Sequence, residues 1–190
     1  IDPEEIINNY GADAVRLFIM SDSPPEKDVK WSDDGMESSY KFVQKLWGLH
    51  KNLIEKINLN ESEKNKENIQ KFTNLLINKI NHNLENFRYN VIIANFYEMY
   101  NFLSKELKNP CDKETLIICY SKILILMSPF IPHFSSECSN ELLKYKNISF
   151  DKWPDIEEKY LVEEKINLVI QINGKKREVL TTRKDINENE

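Results

Sequence analysis

The 190-residue sequence is 41% hydrophobic and 30% charged, a composition typical of a globular protein that buries a core. Its formal net charge of −5 excludes a generally basic, phosphate-seeking domain, so contact with nucleic acid would have to come from local patches. The three cysteines have neither an even number nor the spacing of metal ligands, and we expect buried, reduced thiols of a cytosolic protein. The longest apolar run, residues 116–127, is too short to span a bilayer, so no membrane role is expected.

A pair of helices is predicted at the start of the chain. Asp2 and Pro3 are typical of an N-cap and a first helical position, and Gly11 supplies the left-handed stop that ends the first helix. The following nine residues are apolar except Asp13 and Arg16, which predicts a buried second helix. Because a buried charge is costly without a partner, we expect Asp13 and Arg16 to hold this helix against its neighbours.

A rigid corner and a third helix follow. Pro24 and Pro25 fix the backbone and predict an extended exit, after which Ser32 is expected to cap a helix over residues 33–57. This helix carries an apolar stripe with a period of 3.6 residues. His50 lies on the stripe, and we favour a hydrogen-bonded histidine at the edge of the core over a ligand role.

The middle of the chain predicts further helices separated by polar breaks. Residues 59–68 form a polar connector before a fourth helix, Asn90 is expected to cap a fifth, and Asp112 starts a sixth. A short helix begins near Pro132 and ends the helical part. The predicted fold class is therefore mainly α, with an antiparallel helical bundle.

The residue pattern changes near the end of the chain. Residues 166–172 alternate between apolar and polar side chains, Asn173-Gly174 is a strong turn signal, and residues 175–182 return as a second strand. The bundle is thus expected to be followed by a short C-terminal β-hairpin. A lone hairpin is marginally stable in water, so it must dock on the bundle or stay mobile.

Four stretches of the sequence carry motifs. They are Asp-Pro-x-x-Ile-Ile-x-x-Tyr-Gly-Ala-Asp-x-Val-Arg-Leu-Phe (residues 2–18), Pro-Pro-Glu-Lys-Asp-x-x-Trp-Ser-Asp-x-Gly (24–35), Pro-Phe-x-Pro-His-x-x-x-Glu (129–137) and Val-Ile-Gln-Ile-Asn-Gly-Lys-Lys-Arg (169–177). In this order, and with a looser match over residues 90–100, they resemble bacterial-type leucyl-tRNA synthetases, which are class Ia enzymes. The sequence opens and stops inside such patterns, which indicates a piece of a longer protein.

The resemblance implies that the parent enzyme joins leucine to its tRNA with ATP and Mg²⁺, and that this chain is its tRNA-binding part. The implied domains are linker helices (1–34), a tRNA-binding helical bundle like the anticodon-binding domain of class Ia enzymes (35–146), a connector (147–164) and an incomplete C-terminal domain (165–190). Leucine tRNA and the catalytic domain of the same polypeptide are the implied partners of a cytoplasmic monomer. The chain carries no Gly-rich phosphate loop and no catalytic or editing signature, so it is predicted to hold no cofactor and to be inactive alone.

The candidate site residues fall into two groups. The candidate tRNA contacts, for which an ordinary solvated surface is the alternative, are Lys175, Lys176 and Arg177 of the hairpin and Arg88, Lys41 and Lys45 of the helices. The residues assigned a structural role are Asp13, Arg16, Trp31, Trp47, His133 and Glu137. His133 and Glu137 are expected to pair at i, i+4 and to fix a helix start, because no third residue nearby would complete a metal site.

The chain departs from the family pattern in two helices. Lys41 and Gly48 stand where the family usually has arginine, so a bidentate grip on phosphate would be lost there. Gly48 also costs about 1 kcal/mol relative to alanine inside a helix and indicates close packing at most. Ser136, Cys138 and Ser139 replace the Glu, Leu and Trp of the family, which changes how the last helix packs.

Two alternatives stay open. A valyl- or isoleucyl-type synthetase would share the Tyr-Gly-Ala-Asp run but is disfavoured by the motif at residues 24–35. A helical scaffold that binds another protein would have no RNA role, and it is favoured by the acidic net charge and the lack of a basic stripe.

Overall fold

The computed structural model contains two units, residues 1–156 and residues 157–190. The residues that it describes are 3–22, 24–59, 66–161, 165–172 and 175–183. The helices of the first unit are α1 (Pro3–Tyr10), α2 (Ala12–Asp22), α3 (Asp33–Leu59), α4 (Lys66–Glu85), α5 (Tyr89–Glu106), α6 (Lys113–Met127) and α7 (Pro132–Leu142).

The longer helices of the first unit enclose its core. α3 and α4 each pack against both α5 and α6, so they occupy opposite corners of the arrangement. α7 covers α6 and α3, and α2 lies across α3, α5 and α7. Large apolar side chains fill the centre, among them Phe42, Phe96 and Phe130, and burial of each stabilises the fold by roughly 2–3 kcal/mol. The predicted mainly helical fold is confirmed.

The break between α1 and α2 is set by Gly11. Its φ of +82° lies in the left-handed region, where a side chain would be strained. The Gly11 N–H donates to the Ile7 carbonyl at 2.8 Å and closes the last turn of α1. The predicted stop is confirmed, whereas the predicted cap residue Asp2 lies outside the described residues.

α2 is buried on one face. Ala14, Leu17 and Phe18 are at most 4% exposed, whereas Ile19 is 50% exposed. The prediction of a buried helix is therefore correct for one face only, because Ile19 on another face is half exposed. Ile19 and Val29 line an open apolar groove of about 260 Å³ on the other side.

A hydrogen-bonded turn follows α2. The Lys27 N–H donates to the Pro24 carbonyl at 3.0 Å, so the predicted extended exit is wrong. Pro25 supplies the φ that the second position of such a turn requires. The predicted N-cap of α3 is confirmed, because Ser32 Oγ accepts from the Gly35 N–H at 3.1 Å.

α5 and α6 start in different ways. α5 begins after a tight turn in which Phe87 takes a φ of +53°, and Arg88 precedes the helix without a side-chain cap, so the predicted Asn90 cap is wrong. The predicted start of α6 is confirmed, since Asp112 Oδ2 accepts from the Thr115 N–H at 2.8 Å. The hydrogen bond from the Thr115 hydroxyl lowers the pKa of Asp112 below its ordinary value.

The segment after α7 returns to α4 through Trp153. The indole Nε1 donates to Asn81 Oδ1 at 2.8 Å, and Pro154, the next residue, is buried. This long-range bond ties the end of the first unit to the corner of the bundle that α4 occupies.

The second unit contains two antiparallel strands. Its elements are a short 3₁₀ helix (Glu158–Tyr160), β1 (Lys165–Ile172) and β2 (Lys175–Arg183). The register shifts after Ile170, where β2 carries Arg177 as an extra residue in a bulge. The predicted turn Asn173-Gly174 lies outside the described residues.

Candidate functional site

α2 fastens the corner between α6 and α7 through two charged side chains. Asp13 Oδ2 accepts from the Phe134 N–H at 2.7 Å, and Asp13 Oδ1 accepts from the His133 N–H at 3.3 Å. Arg16 Nε donates to the Phe130 carbonyl at 3.0 Å, and its Nη2 donates to the preceding carbonyl at 2.5 Å. A carboxylate at the start of α7 and a guanidinium just beyond the end of α6 both complement the helix dipoles. Both side chains therefore hold the linker helix against the bundle.

His133 has a different partner from the predicted one. Its Nδ1 lies 3.0 Å from Asp13 Oδ1, so the predicted pair with Glu137 is wrong. The Asp13 carboxylate already caps the first turn of α7, which brings it within reach of the His133 ring. The imidazole is 77% exposed, so this contact lies at the surface of the corner.

The two tryptophans that were assigned a structural role pack edge-on against phenylalanines. The ring centroids of Trp31 and Phe18 are 5.2 Å apart, and Trp31 Nε1 donates to Asp33 Oδ1 at 2.8 Å. The ring centroids of Trp47 and Phe134 are 5.1 Å apart. These contacts join α2 to the start of α3 and α3 to α7.

His50 is 1% exposed, and both of its ring nitrogens lie at hydrogen-bond distance from another side chain. Nδ1 lies 3.1 Å from Tyr120 Oη, and Nε2 lies 2.9 Å from Glu141 Oε2. The Cys138 thiol is hydrogen-bonded to Tyr120, and burial raises its pKa to about 12. This thiol therefore stays protonated and unreactive at neutral pH. The favoured interpretation of His50 as a hydrogen-bonded histidine is confirmed, although the ring lies deeper than predicted.

A groove of about 400 Å³ runs between the second half of α3 and the end of α5. We call it the α3–α5 groove, and its lining residues are Asn52, Glu55, Lys56, Leu59, Tyr100, Ser104, Leu107 and Lys108. Counted from Lys41, the positions i+4, i+7 and i+11 are Lys45, Gly48 and Asn52, which share one side of α3. This stripe, the α3 stripe, continues the groove toward the start of the helix.

Two of the predicted contacts, Lys41 and Lys45, lie exposed on the α3 stripe. Lys41 Nζ is 2.8 Å from Glu37 Oε1, and the two side chains are 64% and 54% exposed. Such an exposed pair is weak and is readily exchanged for another partner. Near Lys41, Tyr97 of α5 stacks on Phe42 with 3.8 Å between ring centroids and is 41% exposed. These two lysines therefore lie on one side of α3, next to the α3–α5 groove.

The remaining predicted contacts lie elsewhere. Arg88 is exposed at the start of α5, next to Phe87, and lies about 13 Å along the helix axis from Tyr97. Arg177 is exposed at the bulge of β2, and Lys175 and Lys176 precede it in that strand. Of the three hairpin residues, Arg177 is the one whose side chain the structure describes. Arg88 does not line the α3–α5 groove.

The α5 side of the groove was missed by reasoning from the sequence. Tyr97 and Tyr100 lie among the apolar residues of α5 in the sequence, which favours burial of both, whereas Tyr97 is 41% exposed. A usable signal was the spacing of Tyr97, Ser104 and Lys108, which at i, i+7 and i+11 share one side of a continued helix.

Two features are absent from the part of the chain that the structure describes. Within it, no cluster of three or more His, Cys, Asp or Glu side chains could hold a metal ion. The described helices also include none that combines the length and the apolar character needed to cross a bilayer.

Comparison with known sequences gives a consistent result. The family model described as the anticodon-binding domain of tRNA ligase matches residues 66–190. The leucine–tRNA ligases of Fervidobacterium nodosum and Prochlorococcus marinus subsp. pastoris are 33% and 34% identical to this chain over 199 and 194 residues. Each match covers 100% of this chain but 24% and 22% of the relative, so the chain spans about a quarter of their length.

Comparison with solved structures agrees with the sequences. A chain in the LeuRS–tRNA–LeuAMS ternary complex of Agrobacterium radiobacter K84 has the same fold, with a TM-score of 0.79 and 24% identity. That match covers 100% of this chain and 25% of the other. The predicted resemblance to leucyl-tRNA synthetases is confirmed, and the named relatives favour it over the valyl and isoleucyl alternatives. The chain belongs to the family of anticodon-binding domains of tRNA ligases.

Proposed function

We propose that the chain is the tRNA-binding part of a leucine–tRNA ligase and that it positions leucine tRNA for aminoacylation. The observation that carries this proposal is the similarity to leucine–tRNA ligases along the whole chain, within a family of tRNA ligase domains. The fold shared with a LeuRS that was solved with tRNA supports it.

The proposed chemistry is divided between this chain and the rest of the polypeptide. Because the chain spans about a quarter of its relatives, we assign leucine activation and ester formation, with their ATP and Mg²⁺, to a catalytic domain outside it. That domain is the proposed partner within a cytoplasmic, monomeric parent. The proposed domain limits are 1–34, 35–146, 147–164 and 165–190, with β1 and β2 as the start of the C-terminal domain.

Binding is proposed to use the RNA backbone rather than base edges. With a net charge of −5, the chain repels RNA overall, so local cations have to provide the attraction. The proposed contacts are Lys41, Lys45, Arg88, Lys175, Lys176 and Arg177. Phosphate and 2′-hydroxyl contacts read the shape of a folded RNA, and few of them in an acidic protein give weak, salt-sensitive affinity.

The test is a titration of the 190-residue chain with leucine tRNA and with a tRNA that lacks the long variable arm. Each titration is run at about 50 and about 200 mM salt, because counterion release makes phosphate binding fall across that range. We expect leucine tRNA to bind and its affinity to fall as salt rises. No salt-dependent binding of either tRNA would overturn the proposal and favour a protein-binding scaffold. Leucine-dependent ATP–pyrophosphate exchange by this chain would contradict the proposed division of chemistry.

A further inference from the structure

Gly48 is a glycine that the fold itself does not require. Gly11 has a φ of +82°, and a Cβ on Gly35 would lie 2.8 Å from the Phe18 ring, so conformation or packing explains each of these. Gly48 lies inside the long helix α3, and a Cβ added there would meet no atom of the described residues within 4 Å. Since glycine weakens a helix interior relative to alanine, this position carries an unfavourable residue that packing against the described residues does not explain.

The surroundings of Gly48 suit a polar, anionic partner. Gly48 is exposed between Lys45 and Asn52 on the α3 stripe, and an exposed glycine lets a partner come closer to the helix axis than any side chain allows. Lys45 supplies a cation for a phosphate, and the Asn52 amide both donates and accepts hydrogen bonds, as a 2′-hydroxyl does.

The α3–α5 groove continues this chemistry beyond Asn52. Ser104 and Lys108 of the facing side add a hydroxyl and a cation, and Lys56 adds another cation on α3. Glu55 is the acidic residue in the lining. Leu59, Tyr100 and Leu107 complete the lining of the groove. Protein interfaces are usually centred on large apolar or aromatic side chains and depleted of lysine. The α3 stripe around Gly48 has two exposed lysines and no large apolar side chain, so its composition favours RNA over a protein partner.

We propose that Gly48 is the point where α3 comes closest to the sugar–phosphate backbone of bound RNA. Lys45 contacts a phosphate on one side of it, and Asn52 contacts a 2′-hydroxyl on the other. The α3–α5 groove then receives the following stretch of the same strand. This inference rests on the proposed function, because it names the surface at which the RNA is bound.

The test introduces a side chain at Gly48 in the 190-residue chain. Gly48→Leu should weaken binding of leucine tRNA by about 10-fold, because a side chain there separates the helix from the backbone that it contacts. Gly48→Ala, which adds one methyl group, should weaken it by about 2-fold to 3-fold. Both variants should raise the Tm by about 2–4 °C, because Leu and Ala favour helix over Gly and the space is open. Weaker binding by a more stable protein cannot result from misfolding.

The matched control is Asn78→Leu, which places the same side chain on the exposed side of α4 at the opposite corner of the bundle. Its tRNA affinity should equal that of the wild type. If the wild type binds tRNA and Gly48→Leu binds equally well, or if Asn78→Leu loses as much affinity, the inference is wrong and the proposed function stands. If the wild type binds no tRNA at either salt concentration, the proposed function fails and the inference with it.

Discussion

The α2–α7 corner and the α3 stripe both carry charged side chains, but they hold them differently. At the corner, Asp13 is 7% exposed and accepts bonds of 2.7, 3.0 and 3.3 Å from α7. On the stripe, Lys41 is 64% exposed, and its partner Glu37 belongs to the preceding turn of the same helix. The buried Asp13 carboxylate stabilises the contact between two helices, whereas the exposed Lys41 ammonium remains accessible to a binding partner. The role of a charged residue therefore depends on whether it is buried and on whether its partner lies in another helix.

This difference predicts where substitutions act. Removing a buried group that satisfies several polar atoms costs stability, because its partners lose hydrogen bonds that water does not fully replace. Removing an exposed side chain changes stability little and acts on binding instead. Substitutions at the α2–α7 corner should thus lower the free energy of unfolding, and substitutions on the α3 stripe should change the affinity for RNA.

Asp13→Ala should have the largest effect on stability. It removes the cap of α7 and the partner of the His133 ring, so we expect the free energy of unfolding to fall by about 2–4 kcal/mol. Urea denaturation of the 190-residue chain measures this change. The control is Asp155→Ala, which breaks an exposed pair with Lys152 and should leave the unfolding midpoint unchanged. Equal effects of the two substitutions would show that the corner is not fastened through Asp13.

The elements that the sequence predicted well depend on neighbouring residues. The left-handed conformation of Gly11 and the caps Ser32 and Asp112 are each decided within one turn of helix, so the local pattern contains the relevant information. Where the local signal was ambiguous, as at Asn90, the residue before the helix is Arg88, two residues earlier than the predicted cap. Residues 24–27 form a turn rather than an extended segment, because the fixed φ of Pro25 is compatible with both conformations.

The contacts that were not predicted join distant residues. His133 looked paired with Glu137 because the two lie one turn apart, yet its partner Asp13 is 120 residues away. Trp153 bonds to Asn81 across 72 residues. The candidate site follows the same rule, since the sequence identified Lys41 and Lys45 on one helix but not the side of the groove that α5 and the residues after it provide. Such contacts depend on how helices pack, which no local pattern records.

Lys45→Ala tests the stripe through a single charge. Loss of one phosphate contact should weaken binding of leucine tRNA by about 3–10-fold at low salt and reduce the salt slope by about 1. Stability should not change, because Lys45 is exposed. The same substitution at Lys71 of α4, on the far side of the bundle, is the control and should leave the slope unaltered. Loss of affinity in both variants would mean that RNA responds to the total charge of the protein rather than to the stripe.

Glu37→Gln should have the smallest effect on stability and on tRNA affinity. It separates two ways in which Glu37 could influence RNA binding by the α3 stripe. The substitution breaks an exposed i, i+4 pair with Lys41, so the free energy of unfolding should fall by about 0.3–0.5 kcal/mol. If RNA is attracted by the charge of the stripe, removing a carboxylate beside it should tighten tRNA binding by about 2-fold, measured by titration at low salt. If Glu37 instead serves to hold the Lys41 ammonium in a binding position, the same substitution should weaken binding. Since the pair is more than half exposed, restraint of the lysine is worth little, and we expect the gain in charge to decide the sign.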